Sequence, residues 1–127
     1  MAGSATAEDN QDVDATDQAT VLDWRQLRDI TLDDDELMRE VLTTLLDDTS
    51  QQIVLLNQAI RSQDTQKTVR LAHYCKGACA NVGANAAAEV LRLLEQQAAH
   101  RSFEDCAVSL NNLTHELERL RVEVETT

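Results

Sequence analysis

The fold is decided by residues 106–124, CAVSLNNLTHELERLRVEV. Apolar side chains recur there in steps of four and three residues, at Cys106, Leu110, Leu113, Leu117, Leu120 and Val124. Such steps return to one face of an α-helix, so the spacing predicts a long amphipathic helix. The segment Ser102 to Asp105 is typical of a helix start and predicts the cap of this helix.

Two long helices are predicted earlier in the chain. Thr31 to Asp34 resembles a capping box. A mainly apolar stripe follows it at Leu42, Leu46, Thr49, Ile53, Leu56 and Ile60. Asp64 is suited to cap a second helix, which should last to Val82 because Gly83 permits the backbone conformation in which helices often end.

The remaining pattern completes a bundle. A helix from about Asn85 should bury a further stripe, formed by Ala87, Leu91, Leu94 and Ala98. A short helix should follow Asp23, with Trp24 and Leu27 on one side of it. Trp24 should then cover one end of the core. Proline is absent from all 127 residues, so nothing interrupts these helices. We predict an all-α fold, an antiparallel four-helix bundle with a short extra N-terminal helix.

The chain divides into a tail and one domain. Residues 1–20 mix small, acidic and amide side chains with almost nothing large and apolar, so they predict a flexible acidic tail. Residues 21–127 carry the apolar stripes and predict the helical bundle. A chain of 127 residues has room for one core of this kind, and one functional site is the simplest expectation.

The charge of the chain argues against several classes of function. The formal charge is −12, and residues 21–127 alone still carry −7, from 18 acidic and 11 basic residues. Binding to nucleic acid or to an anionic membrane depends on clustered Lys and Arg, so neither partner is expected. No apolar run of about 18 residues exists to span a bilayer, and no charged-then-apolar leader opens the chain. We expect a soluble, cytoplasmic protein.

Three cysteines, Cys75, Cys79 and Cys106, lie within the apolar patterns. Their odd number and their setting predict reduced thiols in the core. A metal or cofactor site of His73 with Cys75 and Cys79 is an alternative. It would need further ligands beside the cysteine pair, and Cys75 should project to the face opposite His73.

The residues that are candidates for a chemical role lie in the segment LAHYCKGACANVGA, residues 71–84. The predicted core stripe of this helix is formed by Leu71, Cys75, Ala78 and Val82. Counted at about 100° per residue, the stripe lies roughly 140° to 200° away from His73, so His73 should point to solvent. A lone histidine on a helix is often a hydrogen-bonded core residue, and this geometry argues against that interpretation.

Small and basic residues surround His73 on the predicted helix. Gly77 and Ala80 lie within about 40° of it, one and two turns further along. A glycine in mid-helix costs up to about 1 kcal/mol relative to alanine, so Gly77 indicates that something bulky must approach the imidazole. Arg70 and Lys76 lie about 60° to either side, where positive charge would attract a phosphoryl dianion.

Residues 73–84, HYCKGACANVGA, resemble the His-x-x-Lys-Gly...Gly-Ala signature of histidine-containing phosphotransfer (HPt) domains. Further positions that fit are Leu91, Leu94 and Glu95, and the likeness covers residues 21–124. The resemblance implies that His73 is phosphorylated, that Lys76 stabilises the phosphoryl group and that Gly77 gives the partner access. Departures from the usual residues, which bear on packing and leave the chemistry intact, are Cys75, Cys79 and Ala87.

The resemblance implies a phosphorelay intermediate. Nε2 of His73 would accept a phosphoryl group from an aspartyl phosphate on a response-regulator receiver domain and pass it to another receiver. A hybrid sensor histidine kinase is implied as a further partner. The chain would be a monomeric carrier and not an enzyme, because it has no glycine-rich nucleotide loop. No intrinsic cofactor is expected, since Mg²⁺ would belong to the receiver. The docking surface should comprise Val69, Arg70, Lys76, Gly77 and Ala80.

Other interpretations stay open. The same fold could serve as an interaction or scaffold bundle that transfers no phosphate, although intact His73, Lys76 and Gly77 disfavour this. The chain could be free-standing, or a piece of a hybrid kinase or of a chemotaxis kinase. His100 and His115 have no comparable surroundings and receive no role.

Overall fold

The helices predicted from the apolar stripes are all present. The computed structural model describes residues 19–126, and every regular element among them is an α-helix. These are α1 (Trp24–Thr31), α2 (Asp35–Arg61), α3 (Thr65–Val82), α4 (Asn85–Ala99) and α5 (Phe103–Glu125). The predicted all-α fold is confirmed. The predicted tail, residues 1–20, lies outside the described residues except for its last two and stays a prediction.

Helices α2 to α5 form a ring in which each packs against the next and α5 packs against α2. Short turns connect them, so neighbouring helices run antiparallel. Helix α1 lies across one end, against α2 and α3. There Trp24 is half-buried, and its Nε1 donates a hydrogen bond to Oε1 of Glu123 on α5 at 3.1 Å. None of these helices combines the length and the apolar character needed to cross a membrane.

Aspartates begin three of the helices. Asp23, Asp34 and Asp64 are the N-caps of α1, α2 and α3. Their carboxylates accept hydrogen bonds from backbone N–H groups three residues further on, at 3.2, 3.0 and 3.1 Å. Each bond satisfies a donor that a helix leaves free at its start, and the cap predicted at Asp64 is confirmed.

Two predicted caps are wrong in their details. Thr31 does not cap α2; it is the buried last residue of α1, and its Oγ1 donates to the carbonyl of Leu27 at 2.7 Å. Residues 32–33 have positive φ and turn the chain, so Asp34 takes the capping position instead. Ser102 is the N-cap of α5 as predicted, but its side chain forms no capping hydrogen bond.

The buried face of α3 is turned relative to the predicted stripe. Cys75 and Val82 are buried as predicted, whereas Leu71 and Ala78 are half-buried. The other buried side chains of this helix are Thr68, Ala72 and Cys79. Helix α3 packs most extensively against α4, and this moves its burial toward the α4 side. His73 still lies outside the buried arc.

The two glycines of the bundle serve different purposes. Gly83 ends α3 with a left-handed φ of 89°, and its carbonyl accepts a hydrogen bond from the N–H of Asp23 at 2.8 Å. A Cβ at Gly83 would lie 2.9 Å from the backbone oxygen of Asp23. At Gly77, in the middle of α3, a Cβ would meet no atom within 4 Å. The fold requires glycine at position 83 only.

Alanine substitutions should therefore have opposite effects at the two glycines. Gly83→Ala should lower the free energy of unfolding by at least about 1–2 kcal/mol, because left-handed backbone and the contact with Asp23 both disfavour a Cβ. Gly77→Ala should raise it by about 0.5–1 kcal/mol through helix propensity. Urea unfolding followed by circular dichroism measures both. Equal effects of the two substitutions would contradict this account of the α3 terminus.

Candidate functional site

His73 lies in the middle of α3 with 68 % of its side chain exposed, as the helical geometry predicts. Gly77 and Ala80 are exposed further along the helix, and Val69 is half-buried one turn before. The structure thus places these predicted site residues on a single helix around His73. Among the described residues, a Cβ added at Gly77 would have no neighbouring atom within 4 Å, so the space beside Gly77 is open.

Glu95 of α4 contacts His73, and sequence reasoning missed this contact. Nδ1 of His73 lies 3.1 Å from Oε2 of Glu95. The other oxygen of Glu95, Oε1, lies 2.8 Å from Nζ of Lys76. One carboxylate therefore holds the imidazole and the lysine together. In the sequence, Glu95 is only a position that fits the HPt resemblance. Its contact with His73 spans 22 positions and requires the packing of two helices.

The ionisation of Glu95 determines the tautomer of His73. Burial raises the pKa of Glu95, but hydrogen bonds and charge attraction from Lys76 and His73 outweigh burial and lower the pKa below its ordinary value. At neutral pH the carboxylate is ionised and can only accept hydrogen bonds. Nδ1 of His73 must then carry the proton, which leaves the lone pair of the neutral ring on Nε2.

The cations around the imidazole are not equivalent. Lys76 is paired with Glu95, and its side chain is 30 % exposed. Arg92, one turn before Glu95 on α4, is bound to Glu89, with its Nε donating at 3.0 Å. Arg70 is exposed, and within residues 19–126 it forms no salt bridge. Arg70 is thus the cation near His73 whose charge is not already neutralised by a described carboxylate.

On the other side of His73, α3 contacts α2 through Tyr74. The Tyr74 side chain is 55 % exposed, and its hydroxyl donates a hydrogen bond to Oδ2 of Asp48 at 3.1 Å. This hydrogen bond and the negative charge of Asp48 raise the pKa of Tyr74. The two acidic residues that approach this part of α3 therefore come from different helices, Glu95 from α4 and Asp48 from α2.

The cysteines lie in the core, away from His73. All three are free and buried, as predicted. Burial raises the pKa of Cys75 to about 12 and that of Cys79 to about 11, so neither is a thiolate at neutral pH. Among the residues described, no group of three or more His, Cys, Asp or Glu side chains is placed to hold a metal ion. The alternative site of His73 with Cys75 and Cys79 is not assembled.

The two other histidines have different surroundings. His100 and His115 are both exposed. Nδ1 of His100 lies 2.9 Å from the backbone carbonyl of Gln96. Neither histidine pairs with a carboxylate in the part of the chain that the structure describes, so the pairing seen at His73 distinguishes it from them.

Comparisons with known proteins bear on the family and the fold of the chain. The sequence model of the Hpt domain family matches residues 40–123. A comparison with curated proteins found no match. Among solved structures, histidine-containing phosphotransfer protein B (HptB) from Pseudomonas aeruginosa PAO1 superposes with a TM-score of 0.77 at 23% identity, covering 86% of this chain and 95% of that one. A rice protein assigned as a histidine-containing phosphotransfer protein gives a TM-score of 0.75 at 20% identity, covering 90% and 84%. Both structures share the fold of this chain.

Glu95→Gln should remove the constraint on the tautomer of His73. In the native protein, ¹⁵N NMR of the neutral ring should show the proton on Nδ1. A glutamine amide can accept or donate a hydrogen bond, so the variant should show both tautomers. His100 is the internal control, because its backbone carbonyl partner is unchanged. An unaltered His73 spectrum in the variant would contradict the assigned hydrogen bond.

The same substitution should change the pH dependence of stability. A carboxylate whose folded pKa is lowered stabilises the protein above its unfolded pKa of about 4.3, and this contribution is lost as the pH falls through the folded value. Native protein should therefore be more stable than Glu95→Gln at pH 7, and the difference should vanish in strong acid. Urea unfolding at several pH values measures the difference. A difference that persists in acid would show that charge is not its cause.

Proposed function

The chain belongs to the Hpt domain family, and we propose that it is a phosphorelay intermediate in which His73 accepts a phosphoryl group from one receiver domain and passes it to another. The observation that supports this most directly is the state of His73. Its ring is largely exposed, its Nδ1 is bound by Glu95, and its approach beside Gly77 is open. Nε2 is thus the ring atom available to a partner.

The proposed transfer uses the lone pair of Nε2. This nitrogen attacks the phosphorus of an aspartyl phosphate, so that an N–P bond forms as the P–O bond breaks and the aspartate leaves as a carboxylate. The ring keeps its proton on Nδ1 and becomes positively charged. Glu95 stabilises this charge as it develops, because its carboxylate lies 3.1 Å from Nδ1. Attack by the carboxylate of the next receiver reverses the step and returns the ring to neutrality.

Lys76 has a second role in this proposal. Its ammonium group and His73 bind the same carboxylate, so it lies close to the ring that would be phosphorylated. A phosphoryl dianion on Nε2 would compete with Glu95 for Lys76 and would also attract Arg70, which has no salt bridge among the described residues. Positioning and charge are the main sources of rate in phosphoryl transfer.

The proposal assigns the remaining chemistry to the partners. Mg²⁺ would be bound by the acidic pocket of the receiver. A hybrid sensor histidine kinase would feed the relay, and the chain would act as a monomeric carrier in the cytoplasm without taking phosphate from ATP itself. The sequence offers no glycine-rich phosphate loop that would support an ATP site. The docking surface would include Val69, Arg70, Lys76, Gly77 and Ala80.

His73→Gln should abolish phosphorylation by a phosphorylated receiver in the presence of Mg²⁺. Because the side chain is exposed, the free energy of unfolding should change by no more than about 0.5 kcal/mol. Lys76→Ala should slow transfer by roughly ten- to a hundredfold. The controls, His100→Gln and His115→Gln, should accept label normally, and the product should be acid-labile and base-stable like a phosphoramidate. Label on His73→Gln would refute the proposal, and an unlabelled native protein would favour a scaffold bundle.

Gly77→Leu tests the role of the open space. Leucine should raise the free energy of unfolding by up to about 1 kcal/mol through helix propensity while obstructing His73. Transfer from the receiver should fall by about tenfold or more, since small misplacements of reacting groups are costly. The matched control is Ala107→Leu, which places the same leucine side chain on the exposed face of α5, away from His73. Equal rates in the two variants would show that Gly77 does not provide access.

A further inference from the structure

A cavity lies at the end of the bundle that α1 covers, away from His73. It has a volume of about 150 Å³ and lies among α1, the first turns of α2 and the last turn of α5. The described residues that line it are Trp24, Asp35, Met38, Arg39, Leu42 and Val124. None of them belongs to α3, which carries His73, or to α4, which carries Glu95. The cavity is therefore separate from the site of the proposed phosphoryl transfer.

The inner wall of the cavity is apolar. Met38 and Leu42 are buried, and Trp24 and Val124 are half-buried. The ring of Trp24 is held in place by the hydrogen bond that its Nε1 donates to Glu123 at 3.1 Å. An apolar cavity of this volume is large enough to bind a molecule the size of benzene. The cavity thus has room for one branched aliphatic or phenyl group.

Two opposite charges also line the cavity. Asp35 and Arg39 are both exposed, one helical turn apart on α2. An acidic residue four positions before a basic one is well placed for an ion pair, yet no salt bridge joins these two, and Arg39 pairs with no carboxylate among residues 19–126. By contrast, Arg92, Arg119 and Arg121 each pair with a glutamate three residues earlier. Both charged groups at the cavity are therefore available to a ligand.

A wider depression of about 420 Å³ lies next to the cavity. It shares Trp24, Asp35 and Met38 with the cavity and adds Arg28, Glu123 and Thr126. The two spaces together are bordered by two acidic and two basic side chains. A simple anion would be repelled by the carboxylates, and a simple cation would be repelled by the guanidinium groups. The surroundings favour a ligand that carries one charge of each sign.

We propose that this cavity binds a free α-amino acid with an apolar side chain, such as leucine or phenylalanine. The side chain occupies the apolar space beside Trp24, the carboxylate binds the guanidinium of Arg39, and the ammonium group binds Asp35. An α-amino acid has both charges on the carbon that bears its side chain, and residues four apart on a helix lie close enough to contact both. The inference goes beyond the proposed function and does not depend on it.

The experiment titrates the full chain with L-leucine and follows the fluorescence of Trp24, which is the only tryptophan of the sequence. The emission should change and saturate, with a Kd of about 0.1–1 mM for a ligand of this size. Glycine has both charges but no side chain, and it should give no change at the same concentrations. Isohexanoate, which lacks the ammonium group, and isoamylamine, which lacks the carboxylate, should each bind about threefold or more weakly than leucine.

Val124→Phe tests the apolar part of the site. The larger side chain should fill the cavity and abolish the response to leucine, while the melting temperature should hold or rise, because filling a cavity adds apolar contact. The matched control is Val108→Phe, the same substitution at an exposed position of α5, which should bind leucine as the native protein does.

Two further variants test the charged part and lie at exposed positions, where the fold tolerates substitution. Arg39→Gln should weaken leucine binding by about threefold or more but leave isoamylamine unaffected, because this ligand has no carboxylate. Asp35→Asn should weaken leucine binding by a similar factor and leave isohexanoate unaffected, because that ligand has no ammonium group. Each variant thus serves as the control for the other.

Several outcomes would overturn the inference. These are the absence of a saturable response to leucine, a response to glycine equal to that to leucine, and native leucine binding by Val124→Phe. Isohexanoate or isoamylamine binding as tightly as leucine would show that the cavity does not recognise both charges and would also overturn it. None of these measurements involves phosphoryl transfer, so a failure of this inference leaves the proposed function intact, and the reverse holds as well.

Discussion

The close packing of α3 against α4 is the constraint on which the site depends. The buried side chains along these two helices are mostly small or compact, and they include Ala72, Cys75, Cys79, Ala87 and Ala98. Small side chains let two helices approach closely, and α3 makes its most extensive contact with α4. This close approach lets Glu95 on α4 contact both His73 and Lys76 on α3. A larger residue in that stripe would move the carboxylate away from the imidazole.

That packing also explains which features the sequence could predict. Asp64 and Gly83 act through their own backbone neighbours, so their roles at the ends of α3 follow from local pattern. The outward direction of His73 follows from helical rotation alone. The cap predicted at Thr31 is wrong because a capping sequence does not determine on which side of a turn the residue lies.

Features that depend on two helices were beyond the sequence pattern. The pairing of His73 with Glu95 requires knowing which turn of α4 lies opposite which turn of α3. The buried face of α3 differs from the predicted stripe for the same reason, because the distance to each neighbouring helix decides which side chains of α3 are buried. The contact of Tyr74 with Asp48 likewise depends on the register of α2. The predicted cations around His73 are present, but the sequence did not indicate that Lys76 is already neutralised.

The open space beside Gly77 has a consequence for how the loaded protein would be recognised. A phosphoryl group on the exposed ring would enter solvent and would displace no core side chain, so we expect the bundle to keep one shape with and without its cargo. What changes is the local electric field, as about two negative charges appear where Arg70 and Lys76 lie. Partners that distinguish the two forms must then respond to the electrostatic potential around His73 and not to a change of conformation. Such discrimination weakens as ionic strength rises.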